Sequence, residues 1–177
     1  MSKQVANQTT TVSAGDFLRW LAGIDAALQE EADASVPCDG CTVCCRSSQF
    51  VQVAPDETET LARIPSPLLF PAPHLPPGHV VMGYDERGHC PMLVDDRCSI
   101  YEHRPRACRT YDCRVFAATG IEPDSPLLQG RISQWEFAYP TQRDRDAHRS
   151  LRAAAARITS SENATRRAIR AIVERAT

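Results

Sequence analysis

Cys38-Asp39-Gly40-Cys41-Thr42-Val43-Cys44-Cys45 is the stretch on which the reading of this chain depends. Two residues between successive cysteines let a loop turn consecutive sulfurs toward one point, which is how thiolate loops wrap a metal centre. The same C-x2-C-x2-C run opens bacterial ferredoxin motifs, where a fourth cysteine follows after three more residues and precedes proline. Here Cys45 follows at once and the only Cys-Pro is the distant Cys90-Pro91, so a simple ferredoxin is disfavoured. Adjacent Cys44 and Cys45 strain to aim both sulfurs at one ion. One of them is therefore expected to ligate while the other serves a second site or acts as a thiol.

Moving outward, a second group runs Cys90-x7-Cys98-x9-Cys108-x4-Cys113. All eight cysteines of the 177 residues fall between positions 38 and 113, and the flanks have none. The first fourteen residues are polar, with one Lys and no hydrophobic stretch, and no apolar run approaches the roughly 18–20 residues of a membrane span. These features predict a cytoplasmic chain in a reducing compartment, where such clusters bind metal or do redox chemistry rather than form four disulfides. Free buried cysteines are the plain alternative. Eight thiols suffice for one cluster with spare ligands or for two four-thiolate sites. Either would staple a fold whose apolar core is modest.

Charge and composition narrow the class. The net charge is −2 and hydrophobic residues make up 42%, which fits a globular protein and not a globally basic nucleic-acid binder. The charge is uneven: Thr141 to the end carries +5 and the rest −7. No aromatic residue interleaves with the arginines after Tyr139, so nucleic acid is disfavoured as a partner. A protein partner or protein substrate is the expectation.

Local signals give an α+β chain: a small, metal-stapled cysteine domain with a short β-meander, surrounding helices and a helical C-terminal tail. Residues 1–13 are predicted disordered, 14–120 a cysteine domain, and 121–177 a helical extension packed on it. Ser13 and Asp16 resemble a helix start, and Phe17, Leu18, Leu21, Ile24, Ala27 and Leu28 recur at helical spacing, predicting a helix over 14–32. Residues 48–53 read as a strand and 55–64 as a helix. Six prolines make 65–78 an irregular loop. Residues 80–84 and 90–94 read as a hairpin, followed by a tight turn at 95–97 and a strand at 98–101. Pro105 and Gly120 bracket a helix over 104–118 that would carry both Cys108 and Cys113. Ala147 to Ile158 and Ala164 to Ala176 form two further helical stripes, with a break at Thr159, Ser160 and Ser161.

Cys38-Asp39-Gly40-Cys41-Thr42-Val43-Cys44-Cys45, then Cys90-Pro91-Met92-Leu93, then Cys98-Ser99-Ile100-Tyr101-Glu102-His103-Arg104-Pro105-Arg106-Ala107-Cys108-Arg109-Thr110-Tyr111-Asp112-Cys113 together resemble the CxxCxxCC zinc- or iron-chelating domain, the YkgJ-type cysteine-cluster proteins. The resemblance covers about residues 36–116 and implies a bacterial, cytoplasmic metal or iron–sulfur protein. That family also includes flagellin lysine N-methylases. The chain is shorter than those enzymes and has only eight glycines and no glycine-rich nucleotide loop, so it carries no methylase signature of its own. An iron–sulfur-dependent oxidoreductase or protein-modifying enzyme is one class left open, and a structural zinc module whose Arg-rich C-terminal helices bind a partner protein or nucleic acid is the other.

The candidate metal ligands are Cys38, Cys41, Cys44, Cys45, Cys90, Cys98, Cys108 and Cys113. The candidate cofactor contacts are Arg104, Arg109 and Tyr111, since cations near Cys108 and Cys113, Arg106 and Arg114 among them, would offset thiolate charge. The plain alternative is ion pairing of these arginines, with Glu102 or Asp112, and packing by the tyrosines. His89 and His103 lie near cysteines but follow no ligand spacing. Ferredoxin-like spacing and surplus thiols favour an iron–sulfur cluster, 4Fe–4S first, over zinc.

Overall fold

The computed structural model describes residues 10–29, 32–38, 40–158 and 167–170. It is α+β, with two apolar clusters and the cysteines lying on the segments between and beside them.

The stripe predicted for the first helix is present, with Phe17, Trp20, Leu21, Ile24 and Ala27 buried along α1 (Phe17–Leu28). The helix begins later than expected. Val12–Asp16 form a strand, β1, parallel to β7 (Trp135–Ala138), with Gly15 at φ +85° where the register shifts. Val12 and Ser13 thus belong to a strand and not to a disordered start, while residues 1–9 lie outside the described ones. Ser13 does not cap the helix. The Leu18 N–H donates instead to Asp144 Oδ1, 3.1 Å away, so the cap comes from another element. A strand partner so distant in sequence leaves no local period to read.

Helix α1, β7, α4 (Arg114–Thr119) and α6 (Gln142–Ala155) close the first cluster around Phe17, which is fully buried. The His148 and Phe137 rings lie 4.5 and 5.2 Å from the Phe17 ring. A side chain such as Phe17 contributes roughly 1.5–3 kcal/mol by leaving water. The first C-terminal stripe is helix α6, started by a reciprocal capping box: Thr141 Oγ1 accepts from Asp144 N–H, and Asp144 Oδ2 accepts from Thr141 N–H. Of the second stripe only residues 167–170 are described; they are helical, and Ala168 and Ile169 are buried in this cluster. The predicted break at 159–161 lies outside the described residues.

The second cluster joins Val53, Ile64, Met82, Met92 and Ile100. Its sheet has the order β2 (Val51–Val53), β4 (Val80–Met82), β3 (Leu69–Pro71), all antiparallel. Four expectations change here. The strand over 48–53 is shorter, since Ser48 sits at φ +55°. The helix over 55–64 is a single turn, α2 (Thr58–Leu61). The proline-rich loop contains β3, because Pro71 sits on an edge strand that spares its missing N–H. The turn at 85–88 forms, with Gly88 N–H donating to Asp85 O at 2.8 Å. Its flanks do not pair as a hairpin: β4 is taken by β2 and β3, while β5 (Leu93–Val94) pairs with β6 (Arg97–Cys98). Asp95 and Asp96 both have positive φ, the geometry a two-residue hairpin requires.

The single helix over 104–118 is replaced by two, α3 (Arg106–Arg109) and α4, separated by Thr110 to Cys113. The break follows from Asp112, whose Oδ1 accepts the Arg114 N–H at 2.9 Å and so begins a new helix. Gly120 ends it as predicted, at φ +74°. Residues 121–138, forecast as part of a helical extension, hold the helix α5 (Pro126–Ile132) but also the strand β7, which forms because it pairs with the distant β1.

Candidate metal centre

The motif spacing becomes geometry through turns. Cys41 N–H donates to Cys38 O at 2.8 Å with Gly40 at φ +76°, and residues Val43–Arg46 form one 3₁₀ turn. That turn sets the Cys44 and Cys45 sulfurs 4.0 Å apart. A tetrahedral ion with metal–sulfur bonds of about 2.3 Å separates its sulfurs by about 3.8 Å, so the adjacent pair can share one ion after all.

The second group folds onto the first. Cys90 N–H donates to Cys45 O at 2.7 Å, which ties the segment of Cys90 to the 3₁₀ turn. Cys98 lies in β6, Cys108 in α3, and Cys113 at the start of α4. All eight are free thiols, and Cys38, Cys44 and Cys108 reach solvent.

Electrostatics identify the centre of the group as Cys44. Its own thiol is pushed up, first by the hydrogen bond with Cys45 and then by burial. Burial first, and the neighbouring thiols, Cys44 among them, after it, raise the thiols of Cys38, Cys90, Cys108 and Cys113. Burial, then Cys44, Cys90 and Cys98, push Cys108 up to about 12. Burial raises Cys113 to about 11, opposed by a hydrogen bond from Trp135. The thiols thus fall into two lobes that meet at Cys44: Cys38, Cys41 and Cys113 on one side, Cys90, Cys98 and Cys108 on the other. Burial and crowding make the thiolates of Cys38, Cys44, Cys90, Cys108 and Cys113 costly, the environment in which a bound metal exchanges for protons.

The frame around the lobes is polar and buried. Asp112 accepts from Trp20 Nε1 at 2.9 Å and pairs with Arg114 at 2.8 Å. Arg114 also donates to Ala14 O at 3.1 Å and to Ser35 O at 2.7 Å, joining β1, the limb leading to Cys38, and the segment of Cys113. The α3 N-terminus is held by Glu57, which accepts the Arg106 N–H at 2.5 Å.

Of the candidate cofactor contacts, Arg109 pairs with Asp33 at 2.8 Å, and the Arg104 guanidinium lies 4.2 Å from the Tyr101 ring centre while its charge favours the Cys108 thiolate. Tyr111 has a buried hydroxyl with no hydrogen-bond partner among the described residues, and burial followed by the Cys113 and Cys44 charges holds it strongly neutral. It lines a groove of about 900 Å³ beside the 3₁₀ turn, together with Arg46, Ser47, Phe116 and Leu128. His89 and His103 take part through their backbones, His89 N–H donating to Asp85 and His103 O accepting from Thr60. Sequence reasoning missed Trp135 and Arg131, which stand beside the thiols but in a stretch with no cysteine to flag it.

The donor set is soft and thiolate-rich, and the orphaned Tyr111 hydroxyl and the 4.0 Å sulfur pair fit a metal ion or cluster at its centre. Among the described residues no three His, Cys, Asp or Glu side chains stand close enough to hold one ion together. The thiols are gathered around Cys44 without being closed on a point. No helix among the described residues is long and apolar enough to cross a membrane.

No curated protein and no solved structure matches this chain. Residues 37–125, half of the chain, match the family model CxxCxxCC, described as "Putative zinc- or iron-chelating domain", and the chain belongs to that family.

Proposed function

We propose that the cysteine cluster holds iron with sulfide, a 4Fe–4S cluster first, and that the chain works in the cytoplasm in electron transfer or in modifying a protein substrate. The observation that carries this reading is the hydrogen bond from Cys90 N–H to Cys45 O at 2.7 Å, which brings the second cysteine group onto the first. Eight soft donors from a loop, a hairpin and two helices exceed the four that one tetrahedral ion takes. The C-x2-C-x2-C spacing supports iron further. A second reading, a structural zinc module docking a protein through its Arg-rich C-terminal helix, is favoured by the 4.0 Å Cys44–Cys45 pair.

Metal and acid-labile sulfide content, with a visible spectrum, on protein purified without oxygen separates them. Iron with matching sulfide supports the cluster. Zinc without sulfide overturns it in favour of the structural module. A folded, metal-free protein that takes up neither overturns both. Stripping the metal with a chelator is expected to lower the thermal midpoint, because metal held only by the folded chain adds its binding free energy to folding.

A further inference from the structure

We infer that Arg131 and Trp135, outside the residues matched by the family, act as positioning residues for a metal at the Cys113 thiol and set how tightly it is held. The inference rests on the metal-binding reading above.

Trp135 Nε1 donates to Cys113 Sγ at 3.2 Å. The indole is buried, and its strand is fixed by parallel pairing, Trp135 opposite Val12, so the N–H is fixed where the sulfur lies. Trp20, the other tryptophan, gives its N–H to Asp112 and is not available to a thiol. The Arg131 guanidinium stacks over the Trp135 ring, 4.4 Å from its centre, and donates through Nη1 to Gln134 at 3.0 Å. Its Nε is buried and has no hydrogen-bond acceptor among the described residues. Its helix packs against the 43–46 turn that carries Cys44 and Cys45.

Thiolates that ligate a metal keep negative charge. A fixed N–H to the sulfur, with a cation stacked on the ring that carries it, withdraws part of it, and removing such outer partners typically costs roughly 10–100-fold in metal affinity. Two side chains from α5 and β7 do this at Cys113.

The test is a Co(II) titration of the reduced full-length chain, followed by the thiolate-to-cobalt absorption, for wild type, Trp135→Phe, Arg131→Met and Phe137→Leu. Phe137 is buried on the same strand and has no polar group, so its truncation reports structural loss alone. Trp135→Phe and Arg131→Met are expected to weaken Co(II) binding roughly 10–100-fold. Trp135→Phe should also move the absorption to longer wavelength, because a sulfur without its N–H donor gives up electrons more easily. Phe137→Leu should do neither. Wild-type binding with both variants unchanged overturns the inference, as does an equal loss in Phe137→Leu. If Trp135→Phe fails to fold, Arg131→Met decides alone. Wild-type protein that binds no Co(II) overturns the metal-binding reading and this inference with it.

Discussion

Arg114 shows how much one residue does here. Its guanidinium is buried with the Asp112 carboxylate and also serves two backbone carbonyls, so charge and hydrogen-bond capacity are both satisfied. Arg114→Met leaves Asp112 buried without its cation and is expected to cost about 3–5 kcal/mol in urea unfolding. Arg63→Ala, which removes an exposed pair with Glu59, is expected to cost under about 1 kcal/mol in the same assay. The pairing of Arg114 with Asp112 was readable from their closeness in sequence. Its ends at Trp20, Ala14 and Ser35 were not, because nothing in one segment records which distant carbonyl will need a donor.

At the scale of elements, caps decide where helices begin. The apolar stripe of α1 was legible from its period, but its start was set by Asp144, which serves α6 through Oδ2 and α1 through Oδ1. Thr141→Ala removes one cap and is expected to cost about 1 kcal/mol by chemical denaturation. Asp144→Ala removes the partner of both helices and should lower the denaturation midpoint more than Thr141→Ala does. The division of the 104–118 helix has a related cause: α3 ends at Arg109, and Asp112 accepts the Arg114 N–H to start α4, which puts Cys108 in one helix and Cys113 at the start of the other. The β5–β6 turn and the Gly120 stop were legible because positive φ is written into the residue types that tolerate it.

At the scale of the molecule, two apolar clusters hold the thiols between them, and the first is sensitive to pH. His148 accepts from the Tyr139 hydroxyl at 2.6 Å and donates to Ala118 O at 2.9 Å, so the neutral ring fits both partners. Burial, and then the Arg152 charge, lower its proton affinity in the fold below the ordinary value near 6.5. Below that value the unfolded chain binds the proton more readily, so stability is full above about pH 6.5 and falls as pH drops below it. Urea unfolding at pH 7.5 and 5.5 should show this loss, and His148→Gln should reduce the difference. An unchanged difference in the variant would assign the slope to other groups.

What the sequence determined by itself was the chemistry: eight thiols in two spaced groups, the apolar faces of α1 and α6, and the turn residues at Asp95–Asp96 and Gly120. These depend on neighbours a few residues apart, whose spacing and allowed φ are local properties. The tertiary structure alone decided that β1 pairs with β7, that Cys44 lies between the two thiol lobes, and that Trp135 reaches Cys113. Such contacts join segments with no common period. They are selected by which buried surfaces and unpaired polar groups the whole chain can satisfy at once.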